Sequence, residues 1–147
     1  LMIGGDHLLS HISSNPLISK PLEGTGGRTK ALIDNRHSLR ETAKMPIELM
    51  FGGHGDPILD HVDLIDRRLA SQDRRTEKIF ELVSEEPRTG HGIADAIWGN
   101  IALTQAYLTL SEVVGHLDIL LEEGRVVETT RPLEGSDLEL TFYEATK

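Results

Sequence analysis

The chain has 147 residues, 38% of them hydrophobic and 27% charged, with 24 Asp and Glu against 15 Lys and Arg for a net charge of −9. That length can bury one core or two small ones, and the composition suits a soluble globular protein. The absence of Cys excludes disulfides and thiolate metal sites and fits a cytoplasmic protein; no apolar run approaches the roughly 20 residues of a membrane span, and no signal-peptide pattern is present.

The chain opens LMIGGDHLL (1–9). Residues 1–3 predict a short strand that stops at two glycines, with Asp6 on the turn. Turn chemistry alone accounts for an Asp there, and a carboxylate at a strand end is also competent to hold a metal. A buried strand seldom opens a natural chain, so an upstream half is expected. Residues 11–27 are rich in Ser, Pro and Gly and predict a long loop, of the kind that walls or covers a site. Gly24, Gly26 and Gly27 do not make a phosphate cradle, because no Lys-Ser or Lys-Thr follows and no strand-to-helix pattern precedes them.

Leu32, Leu39 and Ala43 share one face of a helix expected over 29–44. It ends at Met45-Pro46, since a residue before Pro disfavours helical geometry. His37, between Arg36 and Arg40, should face solvent. The stretch IELMFGGHGDPI (47–58) then reads as a strand over 47–51 and a sharp glycine turn. His54 sits between Gly53 and Gly55, with little bulk around it, so its imidazole can approach a ligand closely. That placement suits a metal ligand or an acid–base group; the competing reading is a surface turn that contains a His.

Ile65, Leu69, Ile79 and Val83 recur at helical spacing, which predicts a long amphipathic helix over 61–84. Its Arg67, Arg68, Arg74 and Arg75 alternate with Asp66, Asp73 and Glu77, the pattern of a salt-bridged face. After a break at 85–90, Thr89 should cap a short helix running to about Gly99. Gly90-His91-Gly92 repeats the earlier triplet without a strand before it and is read as a coincidence. Residues 101–108 are expected to be helical. Ser111 has the chemistry of an N-cap for a helix carrying Val113, Val114, Leu117, Leu120 and Leu121, closed by Gly124. Residues 125–130 and 138–143 alternate like two strands of a hairpin.

The two stretches strand-Gly-Asp6 and strand-Gly-His54-Gly-Asp-Pro-Ile, followed by Asp60-His61 and Leu64-Ile65, resemble the C-terminal half of the metallo-β-lactamase superfamily. The late stretch LSEVVGHLDILL (110–121) with Gly124-Arg-Val126 resembles the winged-helix domain appended to many of its hydrolases. The resemblance implies an α+β fold: residues 1–60 as the C-terminal portion of an αββα sandwich, then residues 61–147 as a mostly α winged-helix domain. It implies two zinc ions sharing a water that is hydroxide at neutral pH, with Asp6 as the bridging carboxylate and His54 as the last His ligand. The remaining ligands of the family lie in a His-x-His-x-Asp-His motif and one further His, and none of the seven histidines here falls in that motif.

The expected function is therefore that of the C-terminal part of a metal-dependent hydrolase acting on an ester, thioester or related small-molecule substrate, nearest to the hydroxyacylglutathione-hydrolase-like branch. These residues alone should be inactive and should bind zinc weakly. The expected partner is the N-terminal half of the same protein or, in its place, a second copy, because the sheet would otherwise expose an edge and an apolar face. An acidic winged-helix interaction or nucleic-acid-binding module without catalysis is the alternative. Charge argues against nucleic acid: residues 1–60 carry six Lys or Arg and seven Asp or Glu, whereas residues 61–147 carry nine and seventeen. The helix expected over 111–123 has no cation at all, and phosphate contacts need them.

Overall fold

The structure, a computed structural model, describes residues 1–19 and 27–147. Gly24 and Gly26, and with them most of the glycine-rich part of the expected loop, lie outside the described residues. Residues 7–19 form no helix or strand, as expected of a loop.

β1 (Met2–Gly5) and β2 (Met50–Gly52) lie side by side and parallel, with Met2 opposite Met50 and Ile3 opposite Phe51. Parallel neighbours require a crossover connection, and α1 (Ala31–Ala43) runs within it. One face of the pair is covered: Met50 is fully buried against Leu8, Leu39, Ile58, Leu64 and Ile65. Ile3 and Phe51 remain 83% and 43% exposed. The strand expected over 47–51 is shorter than its apolar run. After Pro46 the Ile47 amide bonds back to the Met45 carbonyl at 2.9 Å, a tight turn that delays the strand. Beyond β2 the chain folds back, and Met50 and Ile58 exchange both backbone hydrogen bonds, at 2.8 and 2.9 Å.

α2 (His61–Glu85) spans 25 residues. Asp60 caps it by accepting the Asp63 amide hydrogen at 3.0 Å, and an anionic cap also suits the positive end of the helix dipole. Its first turns place Leu64 and Ile65 in the core beneath β2. Its last turns place Ile79 and Val83 in a second core with Ile93, Val113, Leu117, Leu120 and Val126. That second core is closed by α3 (Gly90–Trp98), α4 (Ile101–Thr104), α5 (Ala106–Glu122) and an antiparallel sheet of β3 (Arg88–Thr89), β5 (Glu139–Ala145) and β4 (Val126–Pro132), in that spatial order. Thr89 caps α3 as expected, its hydroxyl accepting the Gly92 amide hydrogen at 3.1 Å. Gly124, at φ +68°, follows the end of α5 as expected.

Two local expectations change. β3 sits inside the segment read as a break; it is two residues long, too short to show a period, and exists because Arg88 and Thr89 pair with Tyr143 and Phe142. Ser111 is not an N-cap. α5 begins five residues earlier, and Ser111 is buried in its interior, where its hydroxyl accepts the Ile18 amide hydrogen at 3.3 Å. That tertiary partner satisfies the polar group that would otherwise favour a helix end.

α1 and α5 meet closely. A Cβ on Gly115 would stand 2.9 Å from the Leu32 Cβ, so the helices approach at a distance only Gly allows. Around that contact Arg28 donates a bidentate pair to Asp118, at 2.5 and 2.6 Å, and Lys30 reaches Glu122 at 2.7 Å. Asp118 is almost fully buried, and a buried carboxylate is tolerated only when it is paired in this way. On the other side of α1, the buried Arg36 bonds Gln72 and Asp73 of α2, at 3.2 and 2.6 Å.

His116 is buried between these helices, 2.9 Å from the Thr76 hydroxyl. Thr76 spends its one hydrogen on the Gln72 carbonyl at 3.1 Å, so His116 Nδ1 carries the proton and donates. Burial, followed by the nearby Arg75 and Arg36, lowers the imidazole pKa to about 4. A depressed histidine pKa means the unfolded chain takes up the proton first as pH falls. The contribution of neutral His116 is complete above its unfolded value of about 6.5 and is lost as pH falls towards about 4. Denaturant unfolding should show a loss of about 3 kcal/mol from this group across that window, and His116→Gln should flatten that part of the pH profile.

Candidate metal centre

Asp6 and His54 emerge from the ends of the adjacent strands β1 and β2. The Gly53 amide donates to the Gly5 carbonyl at 2.7 Å, which carries the strand pairing one step past the last ladder residues. This places His54 Nε2 4.0 Å from Asp6 Oδ1. The glycines around His54 are there for space. A Cβ on Gly53 would collide with the Asp6 carboxylate, and one on Gly55, already at φ +87°, would come within 2.6 Å of the Ser10 hydroxyl. Ser10 in turn accepts the Asp56 amide hydrogen at 3.0 Å, and His11 Nε2 lies 2.6 Å from Asp56 Oδ2. The loop after β1 and the loop after β2 are thus fastened to each other on both sides of the Asp6–His54 pair.

The chemistry of the pair matches an ion of the zinc type, which takes imidazole nitrogen and carboxylate oxygen at about 2.1 Å. Two such ligands on a tetrahedral ion stand about 3.4 Å apart, so a 4.0 Å separation needs only a small side-chain rotation. Both side chains are well exposed, at 59% and 72%, and free to make it. The pair supplies two donors only. Among the described residues no group of three His, Asp or Glu is arranged to hold an ion.

The other histidines lie elsewhere. His7 Nε2 is 2.9 Å from the Thr42 hydroxyl, which itself donates to the Ser38 carbonyl, so His7 ties the end of β1 to α1. His37 and His91 are exposed on α1 and α3. His61 is buried in the first turn of α2, and its Nε2 has no partner among the described groups. Sequence reasoning did not anticipate Ser10, His11 and Asp56 as the fasteners of the site, nor Arg68, whose guanidinium donates to the carbonyls of Leu9, Ser10 and Ile12 at 3.0–3.4 Å and holds the loop that leaves the site. The Asp-Pro turn was the one signal that could have drawn attention to Asp56.

No protein-family model matches the chain. The probable metallo-hydrolase YqjP of Bacillus subtilis (strain 168) is 37% identical over 122 residues, which is 83% of this chain and 38% of that protein. Two solved structures share the fold across 98% of this chain and 41% of their own. One is a metallo-β-lactamase family protein from Thermus thermophilus, with a TM-score of 0.75 and 23% identity. The other is a β-lactamase domain protein from Burkholderia ambifaria, with a TM-score of 0.79 and 24% identity. The chain thus has the fold of these metallo-β-lactamase family structures and is similar in sequence to a probable metallo-hydrolase. It spans about two fifths of the length of these relatives.

Gly53→Ala should leave the fold intact, because the colliding atom is the end of a side chain, but it should turn the Asp6 carboxylate away from His54. A melting temperature within a few degrees of the parent, together with a widened Asp6–His54 separation in a structure of the variant, would bear this out; an unchanged separation would contradict it.

Proposed function

We propose that residues 1–60 are the C-terminal part of a metallo-β-lactamase-type sandwich and that the whole protein is a metal-dependent hydrolase of an ester, thioester or related small molecule. The observation that carries this is the convergence of Asp6 and His54 from two neighbouring parallel strands onto one point, 4.0 Å apart, with Gly53 leaving room for it. In this reading Asp6, through its carboxylate, and His54, through its imidazole, would be ligands to the zinc centre. A bound ion of this kind polarises the scissile group and acidifies water. The chain's own residues set the geometry: the Ser10–Asp56 and His11–Asp56 contacts hold the two loops in register, and His7 anchors the acidic one to α1.

The remaining ligands must come from outside these residues. Parallel sheets are normally covered on both faces, whereas the β1–β2 pair has Ile3, Phe51 and Leu1 exposed on its outer side. This supports a further part of the same protein, or a second copy in its place, as the partner that completes both the sheet and the ion site. The absence of Cys supports a cytoplasmic location, and among the described residues no helix is long and apolar enough to cross a membrane.

Residues 61–147 are proposed to form a winged-helix domain. The order α2–β3–α3–α4–α5–β4–β5, with β5 between β3 and β4, supports this. A structural role suits it better than groove reading. α5 contains no Lys or Arg, and its Glu112, Asp118 and Glu122 are engaged by Arg75, Arg28 and Lys30. A helix so packed has no cationic face to offer a phosphate backbone.

In the whole protein, Asp6→Asn and His54→Ala should each lower zinc-dependent ester or thioester hydrolysis by at least a hundredfold while leaving the melting temperature of the metal-free form unchanged. Residues 1–147 alone should bind zinc no more tightly than micromolar. Nanomolar zinc binding by these residues, or unaltered hydrolysis in both variants, would overturn the assignment.

A further inference from the structure

A cavity of about 430 Å³ lies between the loop at residues 13–16 and helices α2 and α5, a volume within the range of small-molecule sites. Its lining is unlike the rest of the molecule. In a chain of net charge −9, it gathers Arg68, Arg74, Arg75 and Lys78 against Glu112 as its sole carboxylate among the described residues. Ser13 and Ser14 line the cavity from the loop, the Ser13 hydroxyl donating to the Ser14 carbonyl at 3.5 Å, and Ser71 lines it from α2.

The cations divide by how they are held. Arg68 is fixed by three loop carbonyls, and Arg75 by Glu112 at 3.1 Å and by the Trp98 ring at 5.1 Å. Arg74 and Lys78 have no hydrogen bond or ion pair among the described residues. Elsewhere Lys30, Lys44 and Arg67, and the half-buried Arg88 and Arg125, have carboxylate partners. Arg74 and Lys78 stand four residues apart on one helix face, a spacing at which like charges repel. The lining is thus preorganised where Arg68 and Arg75 are clamped and electrostatically unsatisfied where Arg74 and Lys78 project. His116, at the helical wall, stays neutral at pH 7 and adds no competing charge of either sign.

We propose that this cavity is a binding site for the phosphoryl group of a small phosphorylated molecule, with Arg74 and Lys78 as the groups that take the anion and Ser14 as a hydroxyl donor. Guanidinium forks match phosphate oxygens in geometry, ammonium groups match them as point charges, and both bonds are charge-assisted. The site is built from α2, α5 and the 13–16 loop, and it does not depend on the ion site at Asp6 and His54, neither of which lines it.

Calorimetric titration with inorganic pyrophosphate and with ADP, at low ionic strength and without divalent metal, tests this. The expected result is saturable binding of at least one of them, weakened tenfold or more in the double variant Arg74→Ala/Lys78→Ala and changed less than twofold in Arg67→Ala, which removes a cation from the same helix outside the cavity. Preference for pyrophosphate over ADP would assign the site to a free polyphosphate end, and preference for ADP to a nucleotide-sized ligand; both sustain the proposal. No binding of either probe, or equal binding by the double variant with an unchanged melting temperature, overturns it. A short single-stranded RNA that binds where both small probes fail would also overturn it, in favour of a nucleic-acid surface.

Discussion

Everything in this molecule hangs on α2 being shared. The helix contributes Leu64 and Ile65 to the core under the parallel strands and Ile79 and Val83 to the core of the helical part. Between those turns the same helix accepts Arg36 from α1 on one side and gives Arg75 to Glu112 of α5 on the other. Neither core is large, and a small core loses proportionally more surface to solvent. Placing both on one continuous helix lets each be completed by side chains that the other already holds in position. The Gly115–Leu32 contact and the Arg28–Asp118 pair close the remaining side, so α1 is packed against both α2 and α5.

The candidate centre follows from backbone arithmetic as much as from the Asp6 and His54 side chains. The two parallel strands end at the same level, Gly5 opposite Gly52 after a register shift past Ile3, so whatever follows each strand is delivered to the same place. β1 is followed by an Asp and β2 by a Gly-His-Gly turn, and the Gly53–Gly5 hydrogen bond extends the pairing just far enough to align them. A side chain at position 53 would occupy the room that the carboxylate takes. The residues that hold the loops are polar, near the surface and individually weak. Ser10 and His11 both meet Asp56, so together they fasten the loop after β1 to the loop after β2.

Much of this was legible in the sequence because it is written in local pattern. The spacing of Ile65, Leu69, Ile79 and Val83 fixes α2, Thr89 marks the start of α3, and glycine after a short apolar run marks the ends of both parallel strands. What was not legible is long-range. Ser111 reads as a helix start on its own chemistry and becomes interior only because Ile18, ninety-three residues away, supplies its hydrogen bond. β3 has two residues and no period of its own. Arg36 looks like a surface cation until Gln72 and Asp73 arrive beside it. The arginines of α2 read as one salt-bridged face, and part of that face is: Arg67 pairs with Asp63. Arg68, Arg74 and Arg75 instead turn towards a loop whose position no periodicity encodes.

The unbroken run of α2 through both hydrophobic clusters also has a mechanical meaning. There is no flexible joint between the part that carries the strand ends and the part that carries the antiparallel sheet. The two therefore cannot swing against each other without breaking a helix in its middle or tearing Asp118 from Arg28. Such an arrangement should melt as one unit, in a single cooperative transition, with a disturbance at either end felt along the whole rod.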